Sequence, residues 1–346
     1  MKFSKLSLTL VSAALLAACG GGGESALAPQ IPAPVVSPVS APPVVLASTI
    51  VTSVPAPTYA AGSEELAAFN LLNAERAHCG FGLLAQNTKI DVAAKNHASY
   101  LVLNHLEGHY QASGDIGFTG VTPADRMLSA GYFSSSTSYG QSGEAQTTVP
   151  STNVLFGAGI IATRELISAP YHLMGMFRGY KDAGVSLVLA STLVPSHTYV
   201  IPVFNFATPA SFLPQLPGDA EILTYPCQGS TGVNFQFAQN ESPHPIPGRH
   251  LVVQPIGHPI LVSVRNGNVL TIASASLIIV STGAAVALRT PYSTKATDVN
   301  PAYLNDNEGY VLPDVPLAPN TQYQATIDGG NDGAVFSRTF TFTTGS

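Results

Sequence analysis

The sequence predicts an α+β protein in which a mixed helical and β region is followed by an all-β sandwich. In the first 210 residues, three amphipathic helical patterns and a helical stretch at 154–177 are joined by two apolar β-like runs. Beyond this point the helical periodicity stops, and short apolar runs alternate with Gly, Pro and Asn turns. We therefore expect two domains, at 62–210 and at 225–346.

The composition is that of a folded protein that is poor in charge. The 346 residues include 14 basic and 20 acidic side chains, and charged residues make up only 10% of the chain, against about 25% in an average protein. The 15 Phe and 13 Tyr are enough to build cores. Because nucleic-acid recognition requires a basic surface, a net charge of −6 argues against nucleic acid as a partner.

Residues 1–18 are predicted to be a lipoprotein signal peptide. A short basic start precedes an apolar run from Leu6 that is shorter than the roughly 20 residues of a membrane span. Small residues then flank Cys19, which resembles a bacterial lipobox, where the cysteine is acylated and becomes the first residue after cleavage. By the same resemblance, Gly20 favours the outer membrane of a Gram-negative bacterium, facing the periplasm or the surface. The alternative is an ordinary signal peptide that happens to contain a cysteine.

Residues 19–61 are predicted to form a Gly/Pro-rich linker. Eight prolines fall between Pro29 and Pro57, and the only charged residue of the segment is Glu24. Proline has no backbone N–H and a fixed φ, so helices and sheets are disfavoured here. We expect an extended, polyproline-like spacer between the membrane anchor and the first domain.

Helix caps and apolar spacing predict the elements of the first domain. Ser63 is the expected N-cap of the first helix, because two acidic residues and an apolar stripe follow it. The second helix is expected from about Ile90 to Asn104. The third begins with Thr122 as N-cap and Pro123 at the first helical position. Two strands are expected after the helical stretch, at 184–190 and 198–206.

The second domain is predicted to be a sandwich of short strands. Candidate strands are 251–253, 260–264, 269–272, 277–280, 285–288, 323–327 and 336–342. In the last strand, Phe336, Phe340 and Phe342 share one face and threonines share the other, as in a half-buried strand. The segment 317–323 resembles the tyrosine corner of immunoglobulin-like domains, so Tyr323 should be buried with its hydroxyl bonded to nearby backbone.

Three cysteines allow one disulfide once Cys19 is assigned to lipid. Cys79 and Cys227 remain, and an even pair in an oxidising compartment favours a bridge between them. The bridge would close a loop of 149 residues (227 − 79 + 1). Two buried free thiols are the alternative.

Several short motifs occur in a fixed order between residues 63 and 208. They are NLLNAER at 70–76, AAKNHA at 93–98, GHY at 108–110, TPADR at 122–126, GY at 131–132, GE at 143–144, SAPYH at 168–172 and GYKDAGV at 179–185. This ordered set resembles bacterial members of the CAP superfamily, which groups cysteine-rich secretory proteins, insect venom antigens and plant pathogenesis-related proteins. The resemblance implies a CAP-like α–β–α sandwich ahead of the immunoglobulin-like domain.

The resemblance also implies a cleft lined by a His/Glu tetrad that can hold a divalent cation. His109, Glu144 and His172 match three positions, and the fourth falls on His197 or on Thr198, depending on the register. Imidazole and carboxylate groups are suitable ligands for zinc and its neighbours. The alternative is that these side chains only hydrogen-bond one another and fix loops. No other cofactor is expected.

Two further residues in these motifs are expected to be structural. His97 lies on the apolar stripe of the second helix, where a lone histidine is usually a hydrogen-bonded core residue. Arg126 follows Asp125, and we expect it to form a structural ion pair or to anchor a loop.

Members of the family are mostly non-enzymatic and bind lipids, sterols, cations or protein partners. The resemblance therefore implies a lipid-anchored envelope protein that acts as a binding module for such ligands. A hydrolase, either a protease or a lipid esterase, is the first alternative, because His109 and Glu144 could perform general acid–base chemistry. For a hydrolase, however, the sequence contains neither a convincing nucleophile nor a complete set of metal ligands. A structural or adhesive envelope protein, with the β-sandwich as its functional part, is the second alternative.

Overall fold

The computed structural model describes residues 46–151 and 155–346, and its fold is mixed α and β, as predicted. The predicted signal peptide, the lipidation site Cys19 and the first part of the predicted linker lie outside the described residues. The described residues belong to one compact unit. None of the helices in this part of the chain is long and apolar enough to cross a membrane.

The described residues contain five α-helices, α1 (Glu64–His78), α2 (Thr88–Asn104), α3 (Pro123–Ser129), α4 (Ala158–Leu166) and α5 (Pro170–Phe177). The predicted N-caps are confirmed: Ser63 Oγ accepts a hydrogen bond from the Leu66 N–H at 3.2 Å, and Thr122 forms a capping box with Asp125. The predicted helical stretch is divided into α4 and α5. Pro170 begins α5, since proline is favoured in the first turn but interrupts a continuing helix.

The strands of the described residues form three sheets. The first has the order β1 (Ala85–Gln86), β4 (Asp182–Leu189), β5 (Tyr199–Thr208) and β2 (Gln141–Gln146), with β3 (Val149–Pro150) also paired to β5. The second has the order β10 (Ser293–Thr294), β11 (Glu308–Val311), β8 (Ile260–Ser263) and β6 (Leu223–Tyr225). The third has the order β7 (Ser230–Val233), β13 (Ala334–Thr344), β12 (Gln322–Asn331) and β9 (Leu270–Ile279).

Helices cover both faces of the first sheet. Ile201 and Val203 of β5 pack with α2, whereas Phe204 and Phe206 belong to the core formed with α1, α4 and α5. This division follows from the pleat, which points alternate side chains to opposite faces. Because both faces are covered, β4 and β5 are buried along almost their whole length.

The second and third sheets share a separate apolar core. Val262 and Val311 from one sheet and Phe340 from the other belong to this core. The expectation for Tyr323 is confirmed: it is only 1% exposed, and its hydroxyl accepts a hydrogen bond from the Ala318 N–H at 2.7 Å. The sandwich is therefore held by apolar packing, and its buried hydroxyl is satisfied by backbone.

Four strand predictions in this region were wrong in detail. Residues 251–253 form a turn, in which the N–H groups of Val253 and Gln254 both donate to His250 O. The runs 269–272 and 277–280 fall largely in one strand, β9, which pairs with β12 on both sides of a register shift between Asp328 and Gly329. Residues 285–288 form only isolated bridges, one of them to Pro313, which has no N–H to extend a ladder.

The later part of the predicted linker is packed on the folded region. The Thr49 N–H donates to Leu216 O at 2.8 Å, and Val51 O accepts from the Leu83 N–H at 2.9 Å. Residues 44–54 contain no proline, so their N–H groups can bond in this way. The described part of the predicted linker is therefore hydrogen-bonded to the folded region at these two positions.

A disulfide and a shared core join the two predicted domains. Cys79 and Cys227 are bonded, with their Cα atoms 5.5 Å apart, which confirms the predicted bridge. The core around α1, α4 and α5 also includes Phe237 and Leu261 from the later part of the chain. The bridge thus ties the end of α1 to the segment that follows β6.

Candidate functional site

The structure brings His109, Glu144 and His172 together, although they are 35 and 28 residues apart in the sequence. His109 lies in the loop after α2, Glu144 lies on β2, and His172 lies in the first turn of α5. The Nδ1 atom of His109 is 3.0 Å from Glu144 Oε1, and the ring centres of His109 and His172 are 6.0 Å apart. We call this region the cleft.

The Glu144 side chain is buried and both of its oxygens are occupied. Oε1 accepts from His109 Nδ1 at 3.0 Å and lies 3.3 Å from His97 Nε2, while Oε2 accepts from Arg126 Nη2 at 2.6 Å. Burial alone would raise the pKa of Glu144, but the hydrogen bond from His109 and the charge of Arg126 outweigh it and lower that pKa. Glu144 is therefore an ionised carboxylate that orients its neighbours.

Arg126 forms its ion pair with Glu144, and not with the adjacent Asp125. Its fully buried guanidinium also donates to His109 O at 3.0 Å, which anchors the loop that carries the histidine. Asp125 is unavailable because its carboxylate accepts from the backbone and hydroxyl of Thr122 at the start of α3. The expected role of Arg126 as an ion pair and loop anchor is confirmed, with a different acid as partner.

His97 is a buried, hydrogen-bonded core histidine, as expected. Its Nε2 atom is 2.9 Å from Gly108 O, and its Nδ1 atom is 3.1 Å from the amide nitrogen of Gln111. Burial lowers the pKa of His97 more than the charge of Glu144 raises it, so the ring is neutral at pH 7. His97 thereby fixes α2 to the loop that presents His109.

A second buried carboxylate, Glu241, holds His172. Its Oε1 atom accepts both the backbone N–H and the Nδ1–H of His172, each at 2.8 Å, and the Glu241 side chain is 1% exposed. Glu241 lies between β7 and β8, so the later region of the chain completes the cleft. Sequence reasoning missed it. The available signal was that Glu241 is the only Asp, Glu, Lys or Arg between Glu221 and Arg249.

The cleft thus contains two carboxylate–imidazole pairs, and in both pairs the same ring nitrogen of the histidine faces the carboxylate. Each histidine directs Nδ1 to a buried carboxylate, and within the described residues neither Nε2 atom has a hydrogen-bond partner. The other oxygen of Glu241, Oε2, is also buried without a partner in this part of the chain. A buried acceptor left unpaired costs about 1–3 kcal/mol, so Oε2 marks a place for a proton donor, a water or a cation.

Of the predicted metal ligands, His109 and His172 each direct only Nδ1 to a carboxylate, whereas Glu144 uses both oxygens to bind neighbouring side chains. Among residues 46–151 and 155–346, no group of three or more His, Cys, Asp or Glu side chains is arranged to hold a metal ion. Histidines that bind metals usually donate their other ring N–H to a carboxylate, as His109 and His172 do. With Zn–N bonds of about 2 Å, two imidazoles on a tetrahedral zinc have ring centres about 5 Å apart, so the observed 6.0 Å would have to shorten when a cation binds.

The candidate fourth residue, His197, makes its polar contacts elsewhere. Its Nε2 atom is 2.8 Å from His105 Nδ1, and its Nδ1 atom is 3.3 Å from Ser196 Oγ. The carbonyl of Thr198 accepts from the Ser151 N–H. The fourth polar residue that hydrogen-bonds into the cleft is Glu241, because the segment before β8 folds back onto α5.

Comparisons with known proteins provide little beyond this geometry. No family model matches the chain, and no curated protein matches it. Among solved structures, an outer surface protein from Borrelia burgdorferi is similar with a TM-score of 0.33 and 14% sequence identity, over 44% of this chain and 96% of that one. A similarity this distant defines neither a shared fold nor a function.

Proposed function

We propose that this protein is a lipid-anchored envelope binding module, with a CAP-like domain followed by an immunoglobulin-like sandwich. The lipobox pattern around Cys19, the ordered motifs between residues 63 and 208, and the helices on both faces of the first sheet support this proposal. We further propose that the cleft binds a divalent cation through His109 and His172. The paired carboxylate–imidazole geometry is the observation that carries this function.

The charges of the cleft favour a cation. Glu144 and Glu241 contribute two negative charges and Arg126 contributes one positive charge, so these three residues have a net charge of −1. The carboxylates hold the Nδ1–H groups, which leaves the Nε2 lone pairs of His109 and His172 available as ligands. With two protein ligands, a bound cation would keep open positions through which it could attract an anionic or carbonyl group of a larger ligand.

A hydrolase is the second candidate, and the same two pairs are the reason to keep it. An imidazole whose Nδ1–H bonds a buried carboxylate can accept a proton at Nε2, which is the role of the histidine in catalytic triads. No Ser, Thr or Cys side chain in the described part of the chain hydrogen-bonds to His109 or His172, so water would have to be the nucleophile. The binding function requires fewer additional groups, and we therefore favour it.

Calorimetric titration of the full chain with zinc tests the proposed function. We expect one equivalent of zinc to be lost in His109→Ala and in His172→Ala, because each variant removes one of two ligands. Glu241→Gln should keep that equivalent but bind it about 10- to 100-fold more weakly, since it alters only the group that orients His172. His250→Ala is the matched control, because His250 is an exposed histidine outside the cleft.

Two outcomes would contradict the proposal. Equal zinc stoichiometry in the wild type and in the His109→Ala/His172→Ala double variant would eliminate the cation site. Turnover of ester or peptide substrates by the wild type, lost in His109→Ala, would favour the hydrolase instead.

A further inference from the structure

A cavity lies between the end of α4 and the segment 234–239, on residues that are not part of the cleft. Its volume is about 280 Å³, and it is lined by Glu165, Ser168 and the residues of that segment. An apolar cavity of about 150 Å³ is enough to hold benzene, whereas drug-sized ligands occupy about 300–1,000 Å³. The volume therefore fits a small molecule, such as one aromatic ring with a short chain.

Hydrogen bonds hold the walls of this cavity in place. The Phe237 N–H donates to Ile256 O at 2.8 Å, and Phe237 O accepts from the Ile256 N–H at 3.2 Å. The side-chain amide of Asn234 donates to Arg164 O at 3.0 Å and to Ser168 Oγ at 2.8 Å, which joins the segment to α4. Because the walls are already ordered, a ligand would not have to order them on binding.

The carboxyl group of Glu165 points to a ligand that carries a hydrogen-bond donor. Within the described residues, its Oε2 atom is buried and has no hydrogen-bond partner. Burying an oxygen of this kind without a partner is unfavourable, and a donor placed in the cavity would remove the cost. The terminal torsion of a glutamate side chain has a broad energy minimum, so the carboxyl group can turn this oxygen towards the cavity.

The charges around the cavity favour a positively charged donor. The lining contains one acid, Glu165, and no Lys, Arg or His. The adjacent Arg164 is already paired with Glu75, with 2.7 Å between Nη1 and Oε1. Burial raises the pKa of Glu165 more than a hydrogen bond from Gln239 lowers it, as expected for a carboxylate without a countercharge. An ammonium group would supply that countercharge and three donors in a compact volume.

Two aromatic side chains provide an apolar wall beside this acid. Phe237 is buried and Phe235 is half-buried, and both line the cavity. Aromatic rings pack well against an apolar body, and their faces also attract cations. We propose that this cavity binds a small organic ammonium ion, with its charged nitrogen on Glu165 and its apolar body against Phe235 and Phe237. This site is separate from the cation site proposed in the cleft and does not depend on it.

NMR titration of the full chain at pH 8 with 2-phenylethylammonium tests the site, with the neutral 2-phenylethanol as the matched probe. We expect the ammonium ion to bind the wild type at least about tenfold more tightly than the alcohol, because only the ion forms a charge-assisted hydrogen bond. Glu165→Gln should remove most of this difference, since it keeps the shape of the side chain and removes its charge. Phe235→Ala should weaken the binding of both probes. Glu107→Gln is the control, because Glu107 is an exposed acid outside the cavity.

Two results would overturn the proposal. The first is that the ammonium ion does not bind the wild type saturably, or binds it no more tightly than the alcohol. The second is that binding of the ion is unchanged in Glu165→Gln but lost in Glu241→Gln, which would assign the ion to the cleft. The comparison of the two probes uses the wild type alone, so it remains decisive even if a variant fails to fold, and thermal unfolding shows which variants retain the fold.

Discussion

The cleft and the core between the second and third sheets bury their side chains in opposite ways. The core between the second and third sheets is built from apolar side chains, with the Tyr323 hydroxyl bonded to backbone. The cleft instead buries Arg126, Glu144 and Glu241 beside the neutral ring of His97. Buried ion pairs are rarely more stable than well-packed apolar groups, so stability does not explain this set. This difference supports the proposed function, in which the cleft binds the ligand and the sandwich stabilises the fold around it.

The largest effect is expected at the link between the two regions. Replacing Cys79 and Cys227 by serine opens a loop closed across 148 positions, which should lower the free energy of unfolding by about 4–5 kcal/mol in the chain-entropy model. Urea unfolding under non-reducing conditions measures this loss. A loss below about 1 kcal/mol would mean that the shared core alone holds the regions together.

Arg126→Met should have a comparable effect, because it leaves the buried Glu144 carboxylate without its countercharge. Removing one partner of a buried ion pair typically lowers the free energy of unfolding by about 3–5 kcal/mol. Arg289→Met is the control, since Arg289 pairs with the 42% exposed Asp314 and should cost less than about 1 kcal/mol. Chemical unfolding of both variants side by side makes the comparison, and equal losses would contradict the buried-charge account.

A buried imidazole without a carboxylate should make the later region sensitive to acid. Burial lowers the pKa of His258 from 6.5 to about 4, and its Nε2 atom has no partner in the described part of the chain. Between pH 6.5 and 4 the unfolded chain binds a proton that the native chain does not, so stability present above pH 6.5 is lost as pH falls. The loss from this residue is about 3 kcal/mol.

Urea unfolding at several pH values between 7.5 and 4 measures this dependence. In His258→Phe the slope of stability against pH over that window should be clearly smaller than in the wild type, whatever the absolute stability of the variant. An unchanged slope would show that other groups account for the acid sensitivity.

The smallest loss of stability is expected for a substitution in the sandwich. Tyr323→Phe removes the acceptor of the Ala318 N–H, and a neutral hydrogen bond of this kind contributes about 1 kcal/mol. Thermal unfolding should therefore show a modest decrease in stability with no loss of cooperativity. A decrease above about 3 kcal/mol would contradict the view that apolar packing dominates this region.

Local signals predicted much of the fold. Ser63 and Thr122 cap their helices as expected, because capping depends on residues only two or three positions away. The run 251–253 was misassigned because a short apolar segment satisfies its backbone equally well in a turn or in a strand. Periodicity alone could not distinguish these two outcomes.

The cleft was predicted only in part, for a physical reason. His109, Glu144 and His172 could be found because they belong to motifs that resemble a known family. Glu241 reaches His172 across 69 positions, and no local pattern encodes a contact of that length. The pairing of Arg126 with Glu144, and not with its neighbour Asp125, depends in the same way on how β2 and α3 pack.

The orientation of the two cleft histidines tests the central claim most directly. Nitrogen-15 NMR of the imidazoles in the full chain, with and without one equivalent of zinc, identifies which ring nitrogen carries the proton and which one binds metal. The account predicts Nδ1–H tautomers for His109 and His172, with their Nε2 resonances shifted by zinc. Nε2–H tautomers, or Nε2 resonances that do not respond to zinc, would contradict it.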